Sequence, residues 1–97
     1  MHTFEYHFDA GHGWLKVSST DLLDVGMLPC DFSRYSYVGQ GHMYLEEDVD
    51  AHRFSEAFTK RFGEDNWKCT EVNDGDYSFI RHLPSNDSSV SQLAVCH

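Results

Sequence analysis

Four carboxylates stand within five positions in Tyr44-Leu45-Glu46-Glu47-Asp48-Val49-Asp50, with Ala51 and Phe54 just beyond. Close-set oxygens of this kind suit a hard cation, but the twelve-residue loop with central glycine and distal glutamate that encircles calcium is missing. The same run at a helix start can accept free amide protons and meet the positive helix end, favoured by about 0.3–1 kcal/mol per carboxylate. A third use is an acidic surface for a basic protein. Asp74 and Asp76, on either side of Gly75, form a second acidic pair.

Seven histidines add titratable groups. His12, near Trp14, and His52, four residues after Asp48, have the chemistry of a metal ligand or proton carrier, but no HxxxH or HExxH spacing joins any two of the seven. Asp48 and His52 read most simply as a contact on a helix surface. His12, His52 and the Glu46–Asp50 carboxylates together make up an alternative reading as a metal- or small-ligand-binding protein. Gly11-His12-Gly13 holds too few glycines for a phosphate loop and leads into an extended segment, so it reads as a hairpin turn whose glycines can take positive φ. Cys30, Cys69 and Cys96 lie far apart without a CxxC pair, which suggests free thiols in a reducing compartment. No local signature assembles a Cys-His-Asp catalytic set, so no catalytic residue, metal or cofactor is assigned.

Charge narrows the partners. Sixteen Asp and Glu against seven Lys and Arg leave a net charge of −9. Direct binding to nucleic acid through counterion release is disfavoured at that balance, and basic proteins are the expected partners. The N-terminus lacks a basic region followed by an apolar run, and no stretch approaches the ~18 apolar residues of a membrane span. The expected location is the cytoplasm.

The elements that must position these groups follow from periodicity. Phe4, Tyr6 and Phe8 alternate with Thr3, Glu5 and His7, giving a strand over 2–8, and Trp14-Leu15-Lys16-Val17 returns as its hairpin partner. Ser18 to Asp21 offer caps for a short helix over 19–26, ended by Gly26. Residues 34–38 and 42–45 read as strands of a second hairpin around Gly39-Gln40-Gly41. Asp48 is the expected N-cap of a helix over 49–62, along which Ala51, Phe54, Phe58 and Phe62 form an apolar stripe. Trp67 to Val72 and Tyr77 to His82 flank Asn73-Asp74-Gly75-Asp76, whose Asp-Gly step predicts a third hairpin. Residues 84–97 read as a loosely packed end, with 90–96 either a short strand or a helical turn.

At 97 residues the chain makes one domain, able to bury roughly 60–70% of its unfolded surface. The order ββα-ββα-ββ predicts an α+β fold: a mainly antiparallel sheet of about six strands with both helices on one face. Tyr35, Tyr37 and Tyr44 would then place an aromatic cluster beside the carboxylates. The negative surroundings favour core packing or a protein-interface hot spot over base stacking.

The combination Gly11-His12-Gly13-Trp14-Leu15, Tyr35-Ser36-Tyr37 and Tyr44-Leu45-Glu46-Glu47-Asp48, followed by Asp50-Ala51 and Phe54, resembles a family of small proteins from bacteria, phages and plasmids, over about residues 8–58. The resemblance carries no catalytic residue. It implies an accessory factor of a mobile element, a population that includes inhibitors of host defence such as anti-CRISPR proteins. The resulting expectation is an acidic protein that docks on a basic nucleic-acid-binding host protein, such as a CRISPR-Cas effector, through Glu46, Glu47, Asp48, Asp50, Asp74, Asp76, Tyr35 and Tyr37.

Overall fold

Alternating aromatic and polar residues make β1 (His2–Phe8) a strand with two different faces, and β2 (Gly13–Ser18) pairs with it antiparallel, Tyr6 opposite Leu15 and His7 opposite Trp14. In the computed structural model, which describes residues 2–86, Asp9 closes this hairpin. Its amide donates to the His12 carbonyl, and its carboxylate accepts the amides of Gly11 and His12, each at 3.0 Å. Neither Gly11 nor Gly13 takes a positive φ, contrary to the expectation for a glycine-rich turn. They are glycines because space is taken: a Cβ on Gly13 would lie 2.0 Å from the Tyr6 hydroxyl oxygen, and one on Gly11 3.0 Å from Nη2 of Arg81.

The helix α1 (Ser19–Asp24) starts where the hydroxyls predict it. Ser18 Oγ accepts the Asp21 amide and the Asp21 carboxylate accepts the Ser18 amide, a reciprocal cap. A hairpin of β3 (Tyr37–Gly39) and β4 (His42–Glu46) follows. β3 begins later than the expected 34–38, because residues 33–36 are drawn into a turn by hydrogen bonds to Asp50. The helix α2 (Asp50–Phe62) then buries Ala51, Phe54 and Phe58 against Phe4, Leu15, Val17, Met43 and Leu45. Gly63, at φ 98°, ends it. The expected outer-face contact between Asp48 and His52 does not form; Nε2 of His52 pairs instead with Glu56 at 3.4 Å.

The strand order is β3-β4-β2-β1-β5, with β5 (Trp67–Asn73) parallel to β1. The fold is therefore α+β with two helices on one face, but the sheet is mixed and, among the described residues, has five strands rather than six. Residues 77–82 are not a strand: after the Gly75 turn, Phe79–His82 form a 3₁₀ turn lying on the sheet face opposite the helices. The reason is topological. β4, β1 and β5 all run the same way, so α2 acts as a crossover across β2 and β1 and delivers β5 to the open edge of β1. Asp74 and Asp9 then bind the chain that follows, before it can turn back along β5.

Against β3, Pro84 accepts the Val38 amide, Ser85 pairs with Tyr37, and the Asn86 side chain donates to the carbonyls of Pro29, Phe32 and Ser33. The start of the segment expected to be loosely packed is thus firmly docked, and the undecided stretch 90–96 lies outside the described residues. Cys69 is a free, exposed thiol, whereas Cys30 is disulfide-bonded, which corrects the reading of all three cysteines as free. Cys96 lies outside the described residues. Among those residues, no helix is long and apolar enough to cross a membrane.

Candidate functional site

The end of β4 runs into α2 through Glu46, whose carboxylate does the capping expected of Asp48. Its Oε2 accepts the Asp48 amide at 2.9 Å, and its Oε1 those of Val49 and Asp50 at 2.8 and 3.1 Å. Partial burial pushes the Glu46 carboxyl up, but these three amides outweigh burial and hold it below the ordinary carboxylate value. With Glu46 occupied, Glu47 and Asp48 carry the exposed negative charge of the junction.

Glu47 faces the β1–β2 turn. Its Oε2 accepts the Tyr6 hydroxyl at 3.0 Å, and its Oε1 lies 3.8 Å from Nδ1 of His12. Burial, the bond to Glu47 and the charges of Glu47 and Asp48 together push the Tyr6 phenol up to about 12. Each of these favours the neutral phenol that can keep donating.

A cleft of about 400 Å³ opens beside this pair. Trp14, Tyr35 and Tyr37 contribute its aromatic walls, Glu46, Glu47 and Asp48 its acidic side, and His12, Gly13, Val49 and Arg81 complete the lining. The Trp14 and Tyr37 rings meet edge to face, centroids 6.2 Å apart, while Tyr35 stands 64% exposed at the mouth. The Arg81 guanidinium does not neutralise the carboxylates here, because it is committed to Asp9: Nε to Oδ2 at 2.6 Å and Nη2 to Oδ1 at 2.8 Å. Arg81 and the amides of Ser78, Gly11 and His12 hold the Asp9 carboxyl well below the usual range, and Asp9 in turn raises Arg81. Arg81 also lies over Trp14 and Tyr77, so it braces the Trp14 wall of the cleft.

Five of the eight expected residues, Tyr35, Tyr37, Glu46, Glu47 and Asp48, thus meet at one cleft. Asp50 does not take part: it is 1% exposed, and its Oδ2 accepts bonds from Ser33 and Ser36. Asp74 also turns inward, with 12% of its side chain exposed, bound by His7 and Ser78. Asp76 is exposed but does not line the cleft, so the second acidic cluster does not form there. His12 reaches the cleft and His52 does not; among the described residues no group of three or more His, Cys, Asp or Glu is placed to hold a metal ion.

Sequence reasoning missed Trp14, Val49 and Arg81 as lining residues, and Asp9 and Tyr6 behind them. The spacing Gly11-x-Gly13 was the one visible trace, since it marks where the Arg81 and Tyr6 side chains cross the turn. Arg34 lies over the Tyr35 ring and Arg81 over Trp14, so the recess already seats guanidinium groups on its aromatic faces, and with Glu47 and Asp48 at its edge it is chemically suited to a guanidinium or ammonium group. The chain matches no protein-family model, no curated protein and no solved structure.

Proposed function

We propose that this chain is a binding protein that docks its acidic, aromatic cleft on a basic surface of a nucleic-acid-binding protein and so keeps nucleic acid from that surface. The observation that carries the reading is the convergence of Tyr35, Tyr37, Glu47 and Asp48 on one cleft, where the Arg81 guanidinium of the lining is already satisfied by Asp9. The net charge of −9 supports the same partner class, because opposite potential speeds encounter and selects partners. The mobile-element resemblance narrows the proposal to a host-defence protein, with a CRISPR-Cas effector as the leading class. The reading places the encounter in the bacterial cytoplasm.

The test is affinity capture from bacterial lysate at low and high salt, with wild-type protein and a Glu47→Gln/Asp48→Asn double variant side by side. A basic nucleic-acid-binding protein retained by the wild type at low salt, and lost both at high salt and from the variant, is the expected result. Capture that ignores both salt and the two substitutions would overturn the proposal.

A further inference from the structure

The buried Asp50 carboxylate is the group at this end of the molecule that the cleft's lining does not use. A single oxygen, Oδ2, accepts the Ser33 amide at 2.9 Å, the Ser33 hydroxyl at 2.7 Å and the Ser36 hydroxyl at 2.6 Å. Ser36, 0% exposed, accepts the Glu46 amide on its own Oγ at 3.0 Å. One hydrogen-bonded chain therefore ties the end of β4, the first residue of α2 and the 33–36 turn. The turn carries Tyr35, whose amide donates to Ser33 Oγ at 3.2 Å, and leads directly into Tyr37.

Those three elements carry Glu46 and Tyr35 of the cleft lining and adjoin the rest of its acidic side and a second aromatic wall: Glu47 and Asp48 lie between β4 and α2, and Tyr37 follows the turn as the first residue of β3. A connecting turn with an exposed tyrosine at its tip does not by itself require a buried charge beneath it. A charge that accepts three donors fixes the turn against the helix far more tightly than solvated backbone would, since charge-assisted bonds are the strong ones and a buried network holds only when every member is satisfied. No buried polar side-chain atom among the described residues lacks a partner.

We propose that Asp50 and Ser36 are positioning residues of the cleft, holding Tyr35 and Tyr37 opposite Glu47 and Asp48 before any cationic group arrives. The inference rests on the binding reading above and adds that the site is pre-organised. Pre-organisation spares a partner the entropy of ordering the two rings, so loosening the knot weakens binding without touching a contact residue.

The experiment incorporates 3-fluorotyrosine and assigns each resonance by Tyr→Phe substitution, with a hexaarginine peptide as probe. In Ser36→Ala, the Tyr35 and Tyr37 resonances move toward the free amino acid while those of Tyr6 and Tyr44 hold still, and affinity for the peptide falls about tenfold, the effect of one lost hydrogen bond of ordinary strength. In Glu47→Gln/Asp48→Asn, affinity falls and the Tyr6 resonance moves with the loss of its carboxylate partner, while those of Tyr35 and Tyr37 stay in place. Unchanged affinity in the carboxylate variant overturns the binding reading. A loss there, with Ser36→Ala leaving both the tyrosine resonances and the affinity as in wild type, overturns the positioning role alone. Where Ser36→Ala does not fold, Ser33→Ala removes one of the three donors to Asp50 and is judged by the same two readouts.

Discussion

The two faces of the sheet are held by different physics. On the helix side, Phe4, Leu15, Val17, Met43 and Leu45 pack against Leu22, Ala51, Phe54 and Phe58, and the cohesion is apolar burial of side chains repeating at strand and helix periods. On the other side a small cluster of Trp14, Tyr44 and Ile80 sits among polar links. Arg81 grips Asp9, Ser78 donates to both Asp9 and Asp74, and His7 lies between Glu5 and Asp74. Apolar burial tolerates small displacements; a fork of hydrogen bonds on a buried carboxylate does not. The polar face is therefore the one that can fix a non-periodic segment, residues 74–82, and through Arg81 it braces the cleft.

The helix face should yield the largest loss. Phe54→Ala, at a side chain 1% exposed, is expected to cost about 3–5 kcal/mol in urea unfolding, through lost transfer energy and the cavity left behind. A loss below about 1 kcal/mol would mean that this face does not dominate cohesion.

The polar face breaks differently. Arg81→Met leaves the Asp9 carboxylate, with no solvent exposure of its side chain, without its cation, and the unfolding midpoint drops. Adding Asp9→Asn should recover part of that loss, a coupling that two independent apolar contacts would not show. The pH dependence follows from the lowered Asp9 carboxyl: its contribution is complete above the ordinary carboxylate value of 3.8 and is lost progressively as the pH falls below it. Stability of the wild type relative to Asp9→Asn should therefore decline on acidification from pH 4 downward. A flat difference would remove Asp9 from the account.

A smaller effect sharpens the boundary between the faces. Gly13→Ala forces the Tyr6 ring aside and should cost about 1–3 kcal/mol as an overpacked contact. The readout specific to this site is ultraviolet titration of the phenols. In the wild type the Tyr6 step is expected at about 12, and both Gly13→Ala and Glu47→Gln should bring it down. A step that stays in place in both variants would show that Glu47 does not hold Tyr6.

The legible parts of the fold are those written as local pattern. Alternation in Phe4, Tyr6 and Phe8, the hydroxyls at Ser18 and the stripe Ala51, Phe54, Phe58 fix β1, the start of α1 and the buried face of α2. The acidic junction was visible too, with Tyr35 and Tyr37 as its neighbours. The Asp-Gly step at 74–75 misleads, because it has the local pattern of a hairpin turn while β5 pairs with β1 at a separation of 65 residues.

Residue types and spacing alone thus determined the fold class, the core of the helix face, the negative charge and the place where carboxylates gather. Only the tertiary structure decided which carboxylates face solvent. Glu46 is spent on α2, Asp50 on the 33–36 turn, Asp74 on His7 and Ser78, and Asp9 on Arg81, leaving Glu47 and Asp48 at the cleft. The physical reason is that a carboxylate's fate depends on which donors arrive beside it: those of Glu46 are local, but those of Asp50 come from 14 and 17 residues away and the guanidinium on Asp9 from 72, distances no local pattern spans.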